Sequence, residues 1–286
     1  EPILNEELLN LGKELKKDLV CNLISIYQAM LPSGYKASAK TNINVKKEKY
    51  VKLANIKEAQ EFITTSKAQK QIEVVEDLLK NKKSLKSKYQ SNIIKVLKDK
   101  GLVIEEEKEK YRLDNSYKIE PLLKLNEYQE EAINQIENSK KDVILLNGVT
   151  GSGKTEIYMH LINKQISLGK TAIMLVPEIS LTPQIINRFK VHFGNKIAVF
   201  HSALSESEKY DEYRKIRRGE VSIVIGARSA IFTPLKNIGI IIIDEEHSST
   251  YKQEHNPRYK AIDVAIIRGK YHNAKVVWGS ATSQIE

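Results

Sequence analysis

An apolar run, Val143-Ile144-Leu145-Leu146, leads into Gly148-Val149-Thr150-Gly151-Ser152-Gly153-Lys154-Thr155, and a helix-like stretch follows from Glu156 to Leu168. Glycine, four residues, glycine, lysine and then threonine is the P-loop pattern, and strand–loop–helix is the context its mechanism demands. The glycines let the backbone curl until its N–H groups point inward as an anion nest, and the helix N-terminus adds positive potential. Gly148, Thr150, Gly151, Ser152 and Gly153 are therefore the candidate phosphate cradle. Lys154 is placed to reach the β- and γ-phosphates, and the Thr155 hydroxyl to ligate Mg²⁺. A flexible turn before a helix, the alternative, has no need of the flanking pattern.

The surrounding sequence predicts the sheet that carries this loop. From Leu125 onward, continuously apolar segments at 143–147, 171–176, 196–200, 221–225, 239–243 and 274–278 read as strands. Helical stretches at 155–168, 182–192, 205–218 and 260–271 lie between most of them. Buried strands with helical crossovers mean a parallel sheet covered on both faces, an α/β lobe.

Two further sections precede it. Residues 5–31 carry Leu8, Leu15, Leu19, Leu23, Tyr27 and Met30 near helical spacing before Pro32-Ser33-Gly34. This reads as a docking or linking helix, with or without one break. Residues 46–117 form a small α+β unit: a strand at 49–53, helices at 68–80 and 92–100, and a short segment at 84–90 between them. Leu102–Glu106 and Tyr111–Leu113 flank a charged turn and read as a hairpin, completing a winged-helix layout. The expected boundaries are 1–40, 41–118 and 119–286.

Eight lysines lie between Lys80 and Lys100 against the single acid Asp99. Lys82, Lys83, Lys86 and Lys88 fall where the second and third helices of a winged helix face phosphates, and Tyr89 is interleaved. Lysines without a base-reading Arg or Asn pair suit backbone contact; a solubilising helix face is the alternative. The net charge of +10 favours a polyanionic partner, although many soluble proteins are basic without one. Cys21 is the only cysteine, which excludes a disulfide framework and a cysteine-rich zinc site within these residues. No apolar run approaches the roughly 20 residues of a membrane span, so a cytoplasmic chain with no membrane partner is expected.

The second informative element is Ile240-Ile241-Ile242-Ile243-Asp244-Glu245-Glu246-His247. A buried β-branched strand ends in carboxylates, at the end of such sheets where ligands bind. Asp244 is the candidate for holding Mg²⁺, and Glu245 for orienting or deprotonating water.

Asp-Glu-Glu-His, with Gly279-Ser280-Ala281-Thr282 after the next strand, resembles the DExH signature of superfamily 2 helicases, which implies a RecA-like P-loop NTPase lobe. Val176–Gln184, His201-Ser202, Gly226–Ala230, Tyr251-Lys252-Gln253 and Pro257-Arg258-Tyr259 occur in an order that resembles the PriA family of replication-restart helicases. The likeness is dense from Leu125 to Thr282 and rests on layout before that. It implies ATP and Mg²⁺ as ligands, 3′→5′ helicase action at stalled or branched forks, and forked or single-stranded DNA as the partner. It also implies primosome proteins and single-stranded-DNA-binding protein as partners. Gln129 stands where the family reads adenine, and a Gln amide matches adenine N6 and N7; a solvated glutamine is the alternative. Arg228 falls in the segment resembling motif Ib, a DNA contact or else a structural salt bridge. His247, Tyr251, His255, Arg258 and Tyr259 resemble an aromatic-rich loop that reports bound DNA to the ATP site, with stacking on bases as its means. The alternative is a surface loop with its tyrosines packed inward. Ser280 and Thr282 resemble motif III, which couples hydrolysis to strand movement. The family continues with Pro-Ser where this sequence has Ser283-Gln284. A second lobe, zinc-binding cysteine clusters and a 3′-end-binding domain are expected outside these residues, so the chain reads as part of a longer protein. Another superfamily 2 motor, or a nucleotide-switched DNA-binding module, remains the alternative.

Overall fold

The computed structural model describes residues 3–36, 43–113, 117–149 and 151–281. They divide into two compact units, Asn44–Arg112 and a larger one built from Glu1–Ile43 with Leu113–Glu286.

The chain opens with α1 (Glu6–Asp18) and α2 (Leu23–Met30), so the N-terminal helical pattern is broken once. Asn5 caps α1 by accepting from the Leu8 N–H at 2.9 Å. Leu8, Leu11 and Leu15 recur at three- and four-residue spacing and are buried, together with Ile26 and Met30 of α2. These side chains join the core of the larger unit instead of forming a separate body.

In the small unit, β1 (Lys47–Leu53), α3 (Ile56–Thr65), α4 (Gln69–Asn81), β2 (Lys83–Leu85), α5 (Ser91–Asp99) and β3 (Val103–Glu109) follow in order. The expected 102–106/111–113 hairpin is not formed. Instead β3 pairs antiparallel with β1, giving the order β2-β1-β3. Charge explains the choice of partner. The lysines of β1 face the glutamates of β3, with Lys47 and Lys49 at 3.0 and 3.4 Å from Glu107, and Lys52 at 3.4 Å from Glu106. Val51, Val75, Leu78, Ile94, Leu97 and Val103 form the core beneath. Lys83, Lys86 and Lys88 also depart from expectation. They lie not on helices but on β2 and the short 3₁₀ turn that follows, and Lys82 ends α4 in a left-handed conformation at φ 57°.

The larger unit continues with α6 (Glu127–Asn138), β4 (Val143–Asn147), α7 (Lys154–Ser167), β5 (Thr171–Leu175), α8 (Pro183–Phe193), β6 (Ile197–Phe200) and α9 (Glu206–Arg218). It closes with β7 (Ile223–Gly226), β8 (Ile238–Ile243), α10 (Ala261–His272) and β9 (Lys275–Ser280). The strands form a parallel sheet of order β4-β9-β8-β5-β7-β6, the α/β lobe expected. Period-two alternation feeds two cores. Ile240 and Ile242 pack with α6, α7 and α8, while Ile241 and Ile243 pack with α1, α2, α9 and α10. The loops after β4 and β8 leave the sheet at the same end, and this brings the two sequence motifs together.

Candidate nucleotide site

The phosphate loop bridges β4 and α7. Parallel pairing of β4 with β9 sets Asn147 opposite Ser280, and the first loop amide, Gly148 N–H, donates to the Ser280 carbonyl at 3.0 Å. Gly151 and Gly153 adopt φ 81° and 85°, left-handed conformations that a Cβ would strain. The Lys154 ammonium folds back onto the loop, donating to the carbonyls of Gly148 and of Val149, the latter at 3.3 Å. Ser152 is exposed and Thr155 is half-buried in the first turn of α7. Thr150 lies outside the described residues.

Gln129 reaches this loop through a helix cap. Asn126 accepts from the Gln129 N–H at 2.9 Å, and the Gln129 side chain accepts from the Asn126 N–H at 3.0 Å. The same amide donates to the Gly153 carbonyl at 3.4 Å, and a Cβ at 153 would collide with it.

Asp244 leaves the end of β8 with its N–H on the Leu175 carbonyl at 2.9 Å. Its Oδ1 accepts from the Tyr158 hydroxyl at 2.9 Å, and its backbone carbonyl accepts from the Tyr251 hydroxyl at 2.6 Å. Burial pushes the Asp244 carboxyl above the ordinary aspartate range; Glu245 adds to this, while Tyr158 and Lys154 oppose it. Burial also pushes the Tyr158 phenol far up, with Asp244 reinforcing it, so the phenol stays a donor. A half-buried carboxylate held partly against its preference for water suits a hard cation. Among the described residues no cluster of three or more His, Cys, Asp or Glu could hold a metal ion. The residues here that could share a cation with ligand oxygens are Thr155 and Asp244, a donor set that suits a nucleotide-borne Mg²⁺.

Glu245 sits at φ 50°, a left-handed conformation costly for a residue with a Cβ, and its carboxylate accepts from the Ser180 hydroxyl at 3.5 Å. The Glu246 N–H donates to the Gly279 carbonyl at 3.1 Å. His247 is exposed, its ring 3.8 Å from the Glu246 carboxylate. Ser280 is fully buried at the end of β9, and Thr282 lies outside the described residues.

Two of the expected DNA contacts are corrected. Tyr251 and Tyr259 are 1% and 4% exposed and cannot present their faces to bases. Tyr251 supports the Asp244 backbone, and Tyr259 packs edge-on against Phe232 with centroids 4.8 Å apart. The polar loop thus turns its aromatic rings inward, where burial outweighs exposure for such large apolar faces. Arg258 remains exposed. Arg228 is half-buried, donates to the carbonyls of Thr250 (3.2 Å) and Lys252, and lies 5.9 Å from the Tyr259 ring. It therefore braces the same loop, and it lines a cleft of about 570 Å³ with His201, Ser202, Lys209, Ser229 and Lys36.

The DEAD/DEAH box helicase profile matches residues 126–286, the segment holding both motifs. The chain belongs to the DEAD/DEAH box helicase family. The chain is 54% identical to replication restart protein PriA of Bacillus subtilis (strain 168) over 68% of its length and 25% of that protein. It is 40% identical to PriA of Chlamydia muridarum (strain MoPn / Nigg) over 96% of its length and 40% of that protein. It thus spans a quarter to two-fifths of these relatives. The solved structure of RecG bound to a three-way DNA junction matches 56% of this chain and 21% of that one, at 27% identity and a TM-score of 0.43.

Three residues at this site have no role in the sequence motifs: Tyr158, Ser180 and Gly279. The signal for Tyr158 was present, since it follows Thr155 by three residues and so shares its helix face.

Proposed function

We propose that this chain forms the first ATP-binding lobe and the winged-helix DNA-binding domain of an ATP-dependent 3′→5′ DNA helicase that acts at stalled or branched forks in replication restart. The convergence of Lys154, Thr155 and Asp244 at one end of the parallel sheet carries this reading. Gly148–Thr155 bind the phosphates through backbone N–H groups, once Lys154 exchanges the loop carbonyls for β- and γ-phosphate oxygens. Thr155 and Asp244 hold Mg²⁺, which when bound neutralises charge developing on the phosphates. Glu245 orients the attacking water and takes its proton. Gln129 is proposed to read adenine, after its amide rotates away from the helix cap.

Lys82, Lys83, Lys86 and Lys88 contact the DNA backbone in this reading, and Arg228 and Arg258 contact the strand held by the lobe. Tyr251 and Tyr259 act from within, holding the loop. His247, Ser280 and Thr282 connect that loop to the nucleotide, and the bond from Gly148 to Ser280 supports such coupling. The PriA likeness supports primosome proteins and single-stranded-DNA-binding protein as partners, and a cytoplasmic setting. No described helix is long and apolar enough to cross a membrane. The zinc implied by the resemblance would need cysteine clusters, which this sequence, with Cys21 as its only cysteine, does not hold.

The test is unwinding of a forked DNA by the full-length protein, with ATP and Mg²⁺. ATP-dependent strand separation with 3′→5′ polarity is expected. ATP turnover indifferent to DNA would contradict the helicase assignment.

A further inference from the structure

The acidic strand, the phosphate-loop helix and the Gly279-Ser280-Ala281 segment meet at one buried hydroxyl. Tyr158 is fully buried in the core between the sheet and α7, and its hydroxyl donates to Asp244 Oδ1 at 2.9 Å. Gly279 on β9 has no Cβ, and one placed there would occupy the position of that hydroxyl and come within 3.0 Å of Asp244 Oδ1. The glycine is therefore required by the tyrosine and not by its own backbone, since its φ is not among the positive ones. On the other side, Tyr251 fixes the Asp244 backbone through its carbonyl at 2.6 Å. An aspartate on a strand end keeps a broad terminal torsion, so without these bonds either carboxylate oxygen could face the site.

We propose that Tyr158 is a positioning residue for the Mg²⁺-holding carboxylate. By occupying Oδ1 it leaves Oδ2 as the oxygen free for the cation, and Gly279 is the space that permits it. Tyr158 lies three residues after Thr155 on α7, so a single helix carries both the hydroxyl that ligates the cation and the hydroxyl that orients its carboxylate. Movement of the Gly279-Ser280-Ala281 segment against α7 then reaches the metal ligand directly, through contact between the Gly279 backbone and the phenol. The inference rests on Asp244 holding Mg²⁺, as in the function proposed above.

The experiment is calorimetric titration of ATP into the full 286-residue chain, with Mg²⁺ varied from zero upward, for the wild type, Tyr158→Phe, Gly279→Ala, the double variant and Asp244→Asn. Loss of an outer partner of a metal ligand costs 10–100-fold in metal affinity. Tyr158→Phe is therefore expected to raise the Mg²⁺ concentration for half-maximal tightening by about tenfold or more, and to leave Mg²⁺-free ATP binding unchanged. Gly279→Ala is expected to copy it, and the two changes together to cost less than their sum, because each removes the same bond. A purely structural tyrosine would weaken binding equally with and without Mg²⁺, and that result overturns the proposal. So does Tyr158→Phe with wild-type Mg²⁺ dependence while Asp244→Asn loses it. If Asp244→Asn itself keeps wild-type Mg²⁺ dependence, the metal assignment of Asp244 falls, and this inference with it.

Discussion

The Glu7 carboxylate of α1 holds the Arg268 guanidinium of α10 in a two-pronged pair, with Glu7 Oε1 to Nε at 2.6 Å and Oε2 to Nη2 at 3.0 Å. The arginine is 1% exposed and also donates to the carbonyls of Ile231 and Thr233 at 2.6 and 3.0 Å. The first helix of the chain is thereby fastened to the helix that precedes β9. Removing one partner of a buried pair typically costs about 3–5 kcal/mol, because the other charge stays buried. Glu7→Gln should lose a stability of that order in urea unfolding, whereas Glu7→Met with Arg268→Met should lose clearly less. Equal losses would mean that packing, not charge, fastens α1.

The same pair predicts an acid response. Burial pushes the Glu7 carboxyl up, but His272 and Arg268 outweigh it and hold the group below the ordinary glutamate range. A depressed folded-state value means that the stabilisation is complete above the unfolded value of about 4.3 and is lost as pH falls through the lower folded one. His272 Nε2 faces the same carboxylate at 3.1 Å. Unfolding free energy of the wild type should therefore fall below about pH 4 more steeply than that of Glu7→Gln. Parallel curves would remove Glu7 from the acid limb.

For the small unit, salt dependence separates two kinds of lysine. Lys86 and Lys88 are already paired, with Glu105 at 3.0 Å and Asp77 at 2.7 Å, whereas Lys82 and Lys83 are exposed. Each duplex phosphate neutralised adds about −0.9 to the slope of log affinity against log salt. Lys82→Gln with Lys83→Gln should flatten that slope by nearly two. Lys86→Gln with Lys88→Gln should change it less and lower stability instead. A slope unmoved by the first pair returns these residues to the role of solvated surface.

The sequence made the lobe legible where pattern and burial coincide. Strand β4 at 143–147 follows the apolar run residue for residue, and the helices after the phosphate loop lie within a residue or two of their expected bounds. Helix α3 was missed because only Ala59 of its ten residues is buried, so little periodic signal exists. The partner of β3 was misread because a charged turn looks like a hairpin locally, while the complementary lysines stand some fifty residues earlier, on β1. Tyr251 and Tyr259 show the same limit within the site. A tyrosine in a polar loop has one sequence pattern whether its ring faces solvent or core, and only the fold supplies Phe232 and the Asp244 carbonyl as partners.

Glu245 and Asp244 are adjacent but should separate in function. Glu245→Gln removes a proton acceptor without touching the cation, so ATP should bind normally while turnover falls by about 10²–10⁴. Rapid-quench turnover beside equilibrium binding measures both. Equal loss of binding would place Glu245 among the metal ligands.

The most direct measurement is ATP binding in Mg²⁺ by the wild type and Lys154→Ala, each checked for an unchanged unfolding transition. Lys154 rests on the Gly148 and Val149 carbonyls, which tolerate its loss because the loop is also held by the Gly148–Ser280 bond. The variant should fold normally and lose ATP affinity by at least tenfold. A folded Lys154→Ala that binds ATP as tightly as the wild type would contradict the assignment of this loop as the nucleotide site.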